Sequence, residues 1–283
     1  MRIKTEWLSW RRNYRKRELN LIFSECPEKL FQTGLELGAG DGFQSTLLTK
    51  YVSKLICTDF NPDRLKRESS ESIDYCICNA EEVDKIFGKR QFDLVYSSNL
   101  LEHLPNPDRA LSGIYEVLKD DGITIHVMPS PFWKFCHLLL HIPNLCAIVF
   151  EKTMEKGGFT WMLRKIRGST YNSERNRGQV RFENNPKIQR QPRSLIPRLL
   201  VPDPHGVSDS NIKEFYAFSK SRWKKQFEKV NLDLVKITKG PVASGYGFGF
   251  DRIRNFLERL GATSEYIYIA IKKDHNSRYI QFF

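Results

Sequence analysis

The stretch LELGAGDGFQSTLLTK, residues 35–50, decides the fold. A short apolar run leads into three glycines at alternate positions, Gly38, Gly40 and Gly42. Glycine lets a backbone turn with positive φ, and it lets a ligand approach where a Cβ atom would collide. A turn of this kind between a strand and a helix lies at the carboxyl edge of a parallel sheet, where nucleotides bind. The stretch therefore predicts a nucleotide crevice lined by main chain.

The spacing of these glycines argues against a dinucleotide ligand. A dinucleotide fingerprint reads G-x-G-x-x-G, and its third glycine would fall on Phe43 in this chain. The sequence instead reads E-x-G-x-G-x-G and begins at Glu36. The pattern favours a nucleoside ligand that has no pyrophosphate.

Strand-like and helix-like segments alternate after this point. The pattern predicts strands at 34–38, 54–60, 75–80, 92–99 and 122–129, and helices at 43–52, 62–70 and 107–122. Such alternation is typical of an α/β fold, doubly wound, with a mostly parallel sheet covered on both faces. We expect four regions: a helical lead-in at 1–30, a cofactor-binding core at 31–131, an inserted helical and loop cap at 132–230, and C-terminal strands that complete the sheet at 231–283.

The segment 132–150 is apolar, but polar residues and a proline interrupt it, so the sequence does not predict a spanning helix there. We favour a lid over the crevice. The alternative is a surface helix that makes peripheral membrane contact through Trp133 and Phe135. Residues 1–20 have no apolar core of a signal peptide, so we expect a cytoplasmic protein, with the inner membrane surface as the alternative location.

The net charge is +12 among 283 residues, and the excess of Lys and Arg is largest in 163–198 and in 1–18. The basic stretch 163–198 either binds an anionic partner or is a solvated surface, and the sequence leaves both open. The six cysteines include no C-x-x-C pair. Cys76 and Cys78 share a strand face but have no evident further ligands, so the sequence predicts reduced thiols and no metal.

Polar groups follow the predicted strands in the order that a nucleoside requires. Asp59 ends the second strand, where its carboxylate can accept both ribose hydroxyls, and Phe60 can pack on the adenine face. Asn79 and Ala80 end the third strand, where a side-chain oxygen can meet the adenine amine. The fourth strand ends in SSNLLEHL, which contains Asn99.

Residues 33–130 resemble class I S-adenosylmethionine-dependent methyltransferases of the type 11 kind. The motifs that carry the resemblance are LELGAGDG, CTDFNPDRL, NAEEV, FDLVYSSNLLEHLPNP and EVLKDDGITIHVMPSP. The resemblance implies S-adenosylmethionine as cofactor and a seven-stranded sheet (Rossmann-like) whose last strand, EYIYIAIKK, is antiparallel. The family often has Asp where this chain has Asn79, but Asn can still accept a hydrogen bond from the adenine amine.

The same resemblance assigns the cofactor-binding residues. It places the methionine part of the cofactor against Glu36, Gly38 and Gly40, the ribose against Asp59, the adenine against Phe60 and Ala80, and the reacting end near Asn99. We also assign Gly42 and Asn79 to cofactor binding. We interpret His103 as a structural residue of the turn that follows.

A looser resemblance, over about 130–250, links the cap to methyltransferases of surface-polysaccharide gene clusters. It implies O-methylation of a glycan or small polar acceptor, with His205 as base and Tyr246 as a second catalytic residue. The alternative is that His205 stabilises a proline-rich turn and Tyr246 packs. Other open functions are small-molecule or quinone methylation, RNA methylation, which the basic stretch 163–198 favours although no RNA module is evident, and non-catalytic cofactor binding.

Overall fold

The computed structural model describes residues 2–65, 72–146, 201–243 and 251–283, with side chains described from Leu8 onward. Tyr246 and the basic stretch 163–198 lie outside the described residues. So does most of the helix predicted at 62–70, and its described part, Pro62 to Arg64, forms a turn.

The centre of the fold is a seven-stranded sheet. Its strands are β1 (Phe31–Leu37), β2 (Val52–Asp59), β3 (Ile73–Ile77), β4 (Phe92–Ser98), β5 (Leu118–Pro129), β6 (Leu232–Lys239) and β7 (Glu265–Lys272). The spatial order is β3-β2-β1-β4-β5-β7-β6. Strands β1 to β5 pair in parallel, and β7 is antiparallel to both β5 and β6. The predicted doubly wound fold and its antiparallel last strand are confirmed.

Helices cover both faces of the sheet. They are α1 (Arg2–Phe23), α2 (Phe43–Leu48), α3 (Val83–Phe87), α4 (Pro107–Val117), α5 (Pro131–Leu139), α6 (Asn211–Ala217), α7 (Lys220–Lys229) and α8 (Asp251–Arg259). Short 3-10 turns occupy Ala80–Glu82, Leu101–His103 and Ile280–Phe282. None of the helices in the described part of the chain has both the length and the hydropathy needed to cross a bilayer.

Two apolar layers sandwich the sheet. On one face, α1 and the C-terminal residues pack Phe23 and Tyr279 against the strands. On the other face, α4 and α7 bury Trp223 and Phe227 completely. The central strands are buried on both sides, which explains why they read as continuous apolar runs.

Three predicted helices have different bounds in the structure. The helix predicted at 43–52 ends at Leu48, because Val52 pairs with Phe31 as the first residue of β2. The helix predicted at 107–122 ends at Val117, because Leu118 pairs with Phe92 of β4. In both places strand pairing with a distant segment overrides the local helical pattern.

The aromatic spacing at 209–230 likewise predicts one helix, but the structure contains two, α6 and α7. Phe218 is buried between them, and Ser219 begins α7 by accepting a hydrogen bond from the Arg222 amide at 3.3 Å. A serine in this position satisfies an amide that has no partner within the helix, so it favours a new helix start over continuation.

A buried ion pair joins two helices of the cap, α5 and α6. Lys134 of α5 and Glu214 of α6 form a salt bridge, and both side chains are completely buried. The other carboxylate oxygen of Glu214 accepts a hydrogen bond from the Gly206 amide at 2.7 Å. The pair therefore fixes both α6 and the loop before it to α5, the helix that directly follows β5.

We predict that Lys134→Met lowers the free energy of unfolding by about 3 kcal/mol, because it leaves the Glu214 carboxylate buried without its cation. The double variant Lys134→Met/Glu214→Gln should recover part of this loss, since it removes both charges and keeps an acceptor for the Gly206 amide. Chemical denaturation measures both. The control Lys213→Met removes an exposed cation and should cost under about 0.5 kcal/mol. An equally small effect of Lys134→Met would contradict the anchoring role.

Candidate active site

The predicted glycine turn lies between β1 and α2 and has positive φ at each glycine. The angles are +74° at Gly38, +59° at Gly40 and +74° at Gly42. At Gly38 an added Cβ atom would also come within 3.0 Å of the Leu100 side chain. Both the conformation and the space therefore require glycine, and the turn presents bare main chain at the carboxyl edge of the sheet.

Asp59 closes this turn from the neighbouring strand. One carboxylate oxygen of Asp59 accepts a hydrogen bond from the Gly40 amide at 3.0 Å, and the other accepts from the Asn61 amide at 2.9 Å. The Ala39 amide donates to the Thr58 carbonyl at 2.8 Å. The carboxylate is thus oriented by two amides at the end of β2, and each of its oxygens keeps a further lone pair for a ligand hydroxyl.

Glu36 lies beneath the turn, near the end of β1, and is almost completely buried. Its carboxylate accepts a hydrogen bond from the Ser45 hydroxyl at 2.5 Å and lies 3.7 Å from the Cys57 thiol. Burial raises the pKa of Glu36 from 4.5 to about 7, although the hydrogen bond from Ser45 acts in the opposite direction. A ligand ammonium group placed above the turn would favour the charged carboxylate.

The predicted adenine residues lie next to Asp59 along the sheet edge. Phe60 follows β2 directly, with 42% of its surface exposed. Asn79 follows β3 and begins the turn Ala80–Glu82, where its side-chain oxygen accepts a hydrogen bond from the Glu81 amide at 3.1 Å. The structure therefore gives Asn79 a capping role that the sequence prediction did not contain, and it buries Ala80 beside it.

Asn99 follows β4 with φ of +52°, a conformation that asparagine tolerates better than most residues. Its backbone amide donates to the Val127 carbonyl at 2.8 Å. The Asn99 side-chain amide is best oriented with its oxygen toward Arg15. In this orientation the oxygen accepts hydrogen bonds from both terminal nitrogens of Arg15 at 2.9 Å. Asn99 therefore connects the end of β4 to α1.

A buried charged network on α1, which the sequence analysis missed, covers this end of the sheet. Arg15 pairs with Glu18 one turn along the helix, donates to Ser98 at 2.9 Å, and lies 3.7 Å from Glu265. Glu18 also accepts from Tyr96 at 2.8 Å. The i, i+3 spacing of Arg15 and Glu18 was visible in the sequence, but their position over the sheet was not.

The network contains two carboxyl groups, Glu18 and Glu265, and only one arginine, Arg15. Burial, followed by the charge of Glu18, raises the pKa of Glu265 well above its ordinary value. A like charge buried nearby disfavours the ionised form of Glu265, so this carboxyl favours its protonated form.

A cavity of about 120 Å³ opens beside this network. Its lining includes Arg15, Asn99, Trp133 and Glu265, contributed by α1, by α5 and by the strand ends. The Trp133 ring also contacts the His205 ring, with 4.6 Å between their centroids. Trp133 therefore connects α5 and the cavity to His205, and the lid role of this segment stays a prediction.

His205 belongs to a cluster at the end of β4. Its ring lies 4.6 Å from the His103 ring, and His103 Nε2 lies 3.7 Å from Glu102 Oε1. Burial raises the pKa of Glu102 to about 8, although the charges of Arg15 and Arg222 oppose the shift. The sequence predicted His205 as a candidate and His103 as structural, and the structure brings them together.

The described residues fit S-adenosylmethionine. Gly38, Gly40 and Gly42 have a left-handed backbone and leave room where side chains would block the methionine part. The oriented carboxylate of Asp59 lies where the ribose is expected. All nine predicted cofactor-binding residues lie in the strand-end turns or at strand ends of the carboxyl edge: Glu36, Gly38, Gly40, Gly42, Asp59, Phe60, Asn79, Ala80 and Asn99. Tyr246 lies outside the described residues.

We predict that Glu36 makes the ligand-free protein less stable as pH rises from about 4.5 to about 7. Over this range the folded protein keeps the Glu36 proton and the unfolded chain loses it, so stability falls as pH rises. Glu36→Gln should remove about 3 kcal/mol of this dependence, measured by denaturation at several pH values. Glu28→Gln, at an exposed site, is the control. Identical pH profiles for Glu36→Gln and the wild type would contradict the assignment.

Comparisons with known proteins agree with this geometry. Residues 35–126 match the family model described as a methyltransferase domain, Methyltransf_11. The human mitochondrial arginine-hydroxylase NDUFAF5 is 34% identical over 131 residues, which cover 46% of this chain and 36% of that protein. Trans-aconitate 2-methyltransferase from Deinococcus radiodurans is 26% identical over 136 residues, which cover 47% of this chain and 50% of that protein. The chain thus matches about a third of the first relative's length and half of the second's.

Solved structures show the same fold. An S-adenosylmethionine-dependent methyltransferase from Mesorhizobium loti superposes with a TM-score of 0.51 at 13% identity, covering 90% of this chain and 97% of that chain. A chain of the complex between the Haloferax volcanii Trm112 methyltransferase activator and a methyltransferase gives 0.52 at 12% identity, covering 98% and 100%. The chain therefore has the fold of S-adenosylmethionine-dependent methyltransferases, and its residues 35–126 match a methyltransferase domain of the type 11 family.

Proposed function

We propose that the protein transfers a methyl group from S-adenosylmethionine to a hydroxyl of a sugar or related polar acceptor. The observation that carries this proposal is the position of His205. Its imidazole lies against Trp133, which lines the cavity beside Asn99, on the side where the reacting end of the cofactor is expected. An aromatic wall with a few polar groups is typical of pockets that bind polar small molecules.

The proposed reaction assigns a role to each part of the site. S-adenosylmethionine supplies an activated methyl group on a sulfonium sulfur. The glycine turn and Asp59 hold the nucleoside, and α5 excludes water above the acceptor. The acceptor oxygen forms a bond to the methyl carbon while His205 takes the proton of the acceptor hydroxyl. The bond between the methyl carbon and the sulfonium sulfur breaks, which leaves a neutral thioether. Positioning supplies much of the rate, because the methyl group is already activated.

The acceptor class itself rests on two supports. The first is that a hydroxyl needs a base, and the His205 imidazole contacts Trp133, which lines the cavity. The second is the looser resemblance of 130–250 to methyltransferases of polysaccharide gene clusters. A lipid-linked acceptor would also give a role to the outer face of α5, where Phe135 and Leu139 are exposed, as a peripheral membrane contact.

We predict that labelled S-adenosylmethionine transfers its methyl group to the polysaccharide or glycolipid fraction when protein is added to an extract of its own cells. The extract is separated into polysaccharide, lipid, RNA and protein, and label in each is counted. His205→Ala should lower the label by about 100-fold and keep cofactor binding, because it removes the base. His275→Ala, at an exposed site, is the control.

Label in RNA or protein would overturn the proposed acceptor. An absence of label in every fraction, from protein that binds S-adenosylhomocysteine, would overturn the enzymatic function in favour of cofactor binding alone. Full turnover by His205→Ala would remove the base assignment.

We predict that Asp59→Ala weakens S-adenosylhomocysteine binding by about 100-fold, because two hydrogen bonds to a charged acceptor are lost. Asp59→Asn should weaken it less, by about tenfold, since its oxygen can still accept the Gly40 amide. Isothermal titration calorimetry measures both. Asp63→Ala, an exposed change in the same loop, should bind as the wild type does. An affinity within twofold of wild type for Asp59→Ala would exclude the ribose contact.

A further inference from the structure

Glu102 is buried without a hydrogen-bond partner for its carboxylate. The residue is only 3% exposed, and neither carboxylate oxygen has such a partner among the described residues. Leaving a buried charged or polar group unsatisfied costs free energy, so a group of this kind indicates a strain or a missing ligand. Burial of this carboxylate without a hydrogen-bond partner among the described residues is the feature that the cofactor crevice does not explain.

Two imidazoles face this carboxylate. One ligand atom from each of Glu102, His103 and His205 lies within 4.8 Å of the others. A cation about 2.1 Å from each atom would place the atoms roughly 3 to 3.5 Å apart, so small side-chain rotations close the cluster. His103 Nε2 is already 3.7 Å from Glu102 Oε1.

Backbone contacts fix the two segments that supply these side chains. The Val207 amide donates to the Glu102 carbonyl at 3.3 Å. A Cβ atom at Gly206 would come within 2.7 Å of the same carbonyl, so glycine at this position allows the approach. The Gly206 amide donates to Glu214, which pairs with buried Lys134. The loop that carries His205 is therefore held against the turn that carries Glu102 and His103.

We propose that Glu102, His103 and His205 form a binding site for one divalent transition-metal cation. Two imidazoles and one carboxylate suit Zn²⁺, Mn²⁺ or Fe²⁺, whereas Mg²⁺ prefers oxygen ligands. Three protein ligands leave coordination positions open to solvent or to a substrate. This assignment differs from the sequence prediction of no metal, because the cysteines on which that prediction rested are not the ligands.

The role of the cation rests on the proposed function. A hydroxyl bound to an open position becomes more acidic, so the acceptor would lose its proton to water. His205 would then act as a ligand and not as the free base, and both roles predict loss of turnover in His205→Ala. Metal content distinguishes them.

The test uses the full chain, treated with a chelator and kept reduced, without cofactor or acceptor. Calorimetry with Zn²⁺, Mn²⁺ and Mg²⁺ is combined with metal analysis after dialysis. We expect one Zn²⁺ or Mn²⁺ per chain and much weaker binding of Mg²⁺. His103→Ala and His205→Ala should each weaken binding by about 100-fold, and the control His275→Ala should leave it unchanged. His205→Gln serves as a second variant if His205→Ala does not fold.

Absence of a stoichiometric site, or binding that persists unchanged in the His103 and His205 variants, would overturn the proposal. Because S-adenosylhomocysteine binding and label transfer are measured separately, these results do not depend on the methyltransferase function. Full label transfer by metal-free protein would remove the catalytic role of the cation and leave its binding site intact.

Discussion

The hydrogen bond from the Gly40 amide to the Asp59 carboxylate is the contact on which the site depends. It joins the turn after β1 to the end of β2, and it is compatible with the left-handed backbone that only glycine adopts easily. With the turn held in this way, the main chain faces the crevice and the carboxylate is oriented before any ligand arrives. Pre-organisation of this kind lowers the entropy lost on binding, so the glycines and Asp59 act as one unit.

The rest of the carboxyl edge is built around that unit by buried charge. Arg15 and Glu18 lie over the ends of β4 and β7, and Lys134 and Glu214 hold the cap at the same edge. Burying charged side chains costs free energy unless they are paired. These ion pairs therefore contribute less to the stability of the fold than to the positions of the helices that carry them. They fix α1, α5 and the loop of His205 in relation to the crevice.

The sequence predicted the sheet, the glycine turn and Asp59 because each has a local signal: alternation of elements, φ-permissive residues, and a carboxylate at a strand end. The sequence-based predictions failed where contacts between distant segments of the chain determine the structure. Leu118 begins β5 because it pairs with Phe92, and no local pattern around 118 contains that information. The approach of His205 to Glu102 and His103 likewise depends on the fold of the cap, so a pair of adjacent residues and a remote histidine could not be recognised as one cluster.

We infer that the nucleoside lies against the glycine turn with its ribose held by Asp59. A crystal structure of the protein with S-adenosylhomocysteine tests this most directly. We expect both ribose hydroxyls within hydrogen-bond distance of the Asp59 carboxylate, with the amino-acid end above Gly38 and Glu36. Density for the nucleoside at another place, or a ribose that has no contact with Asp59, would contradict it.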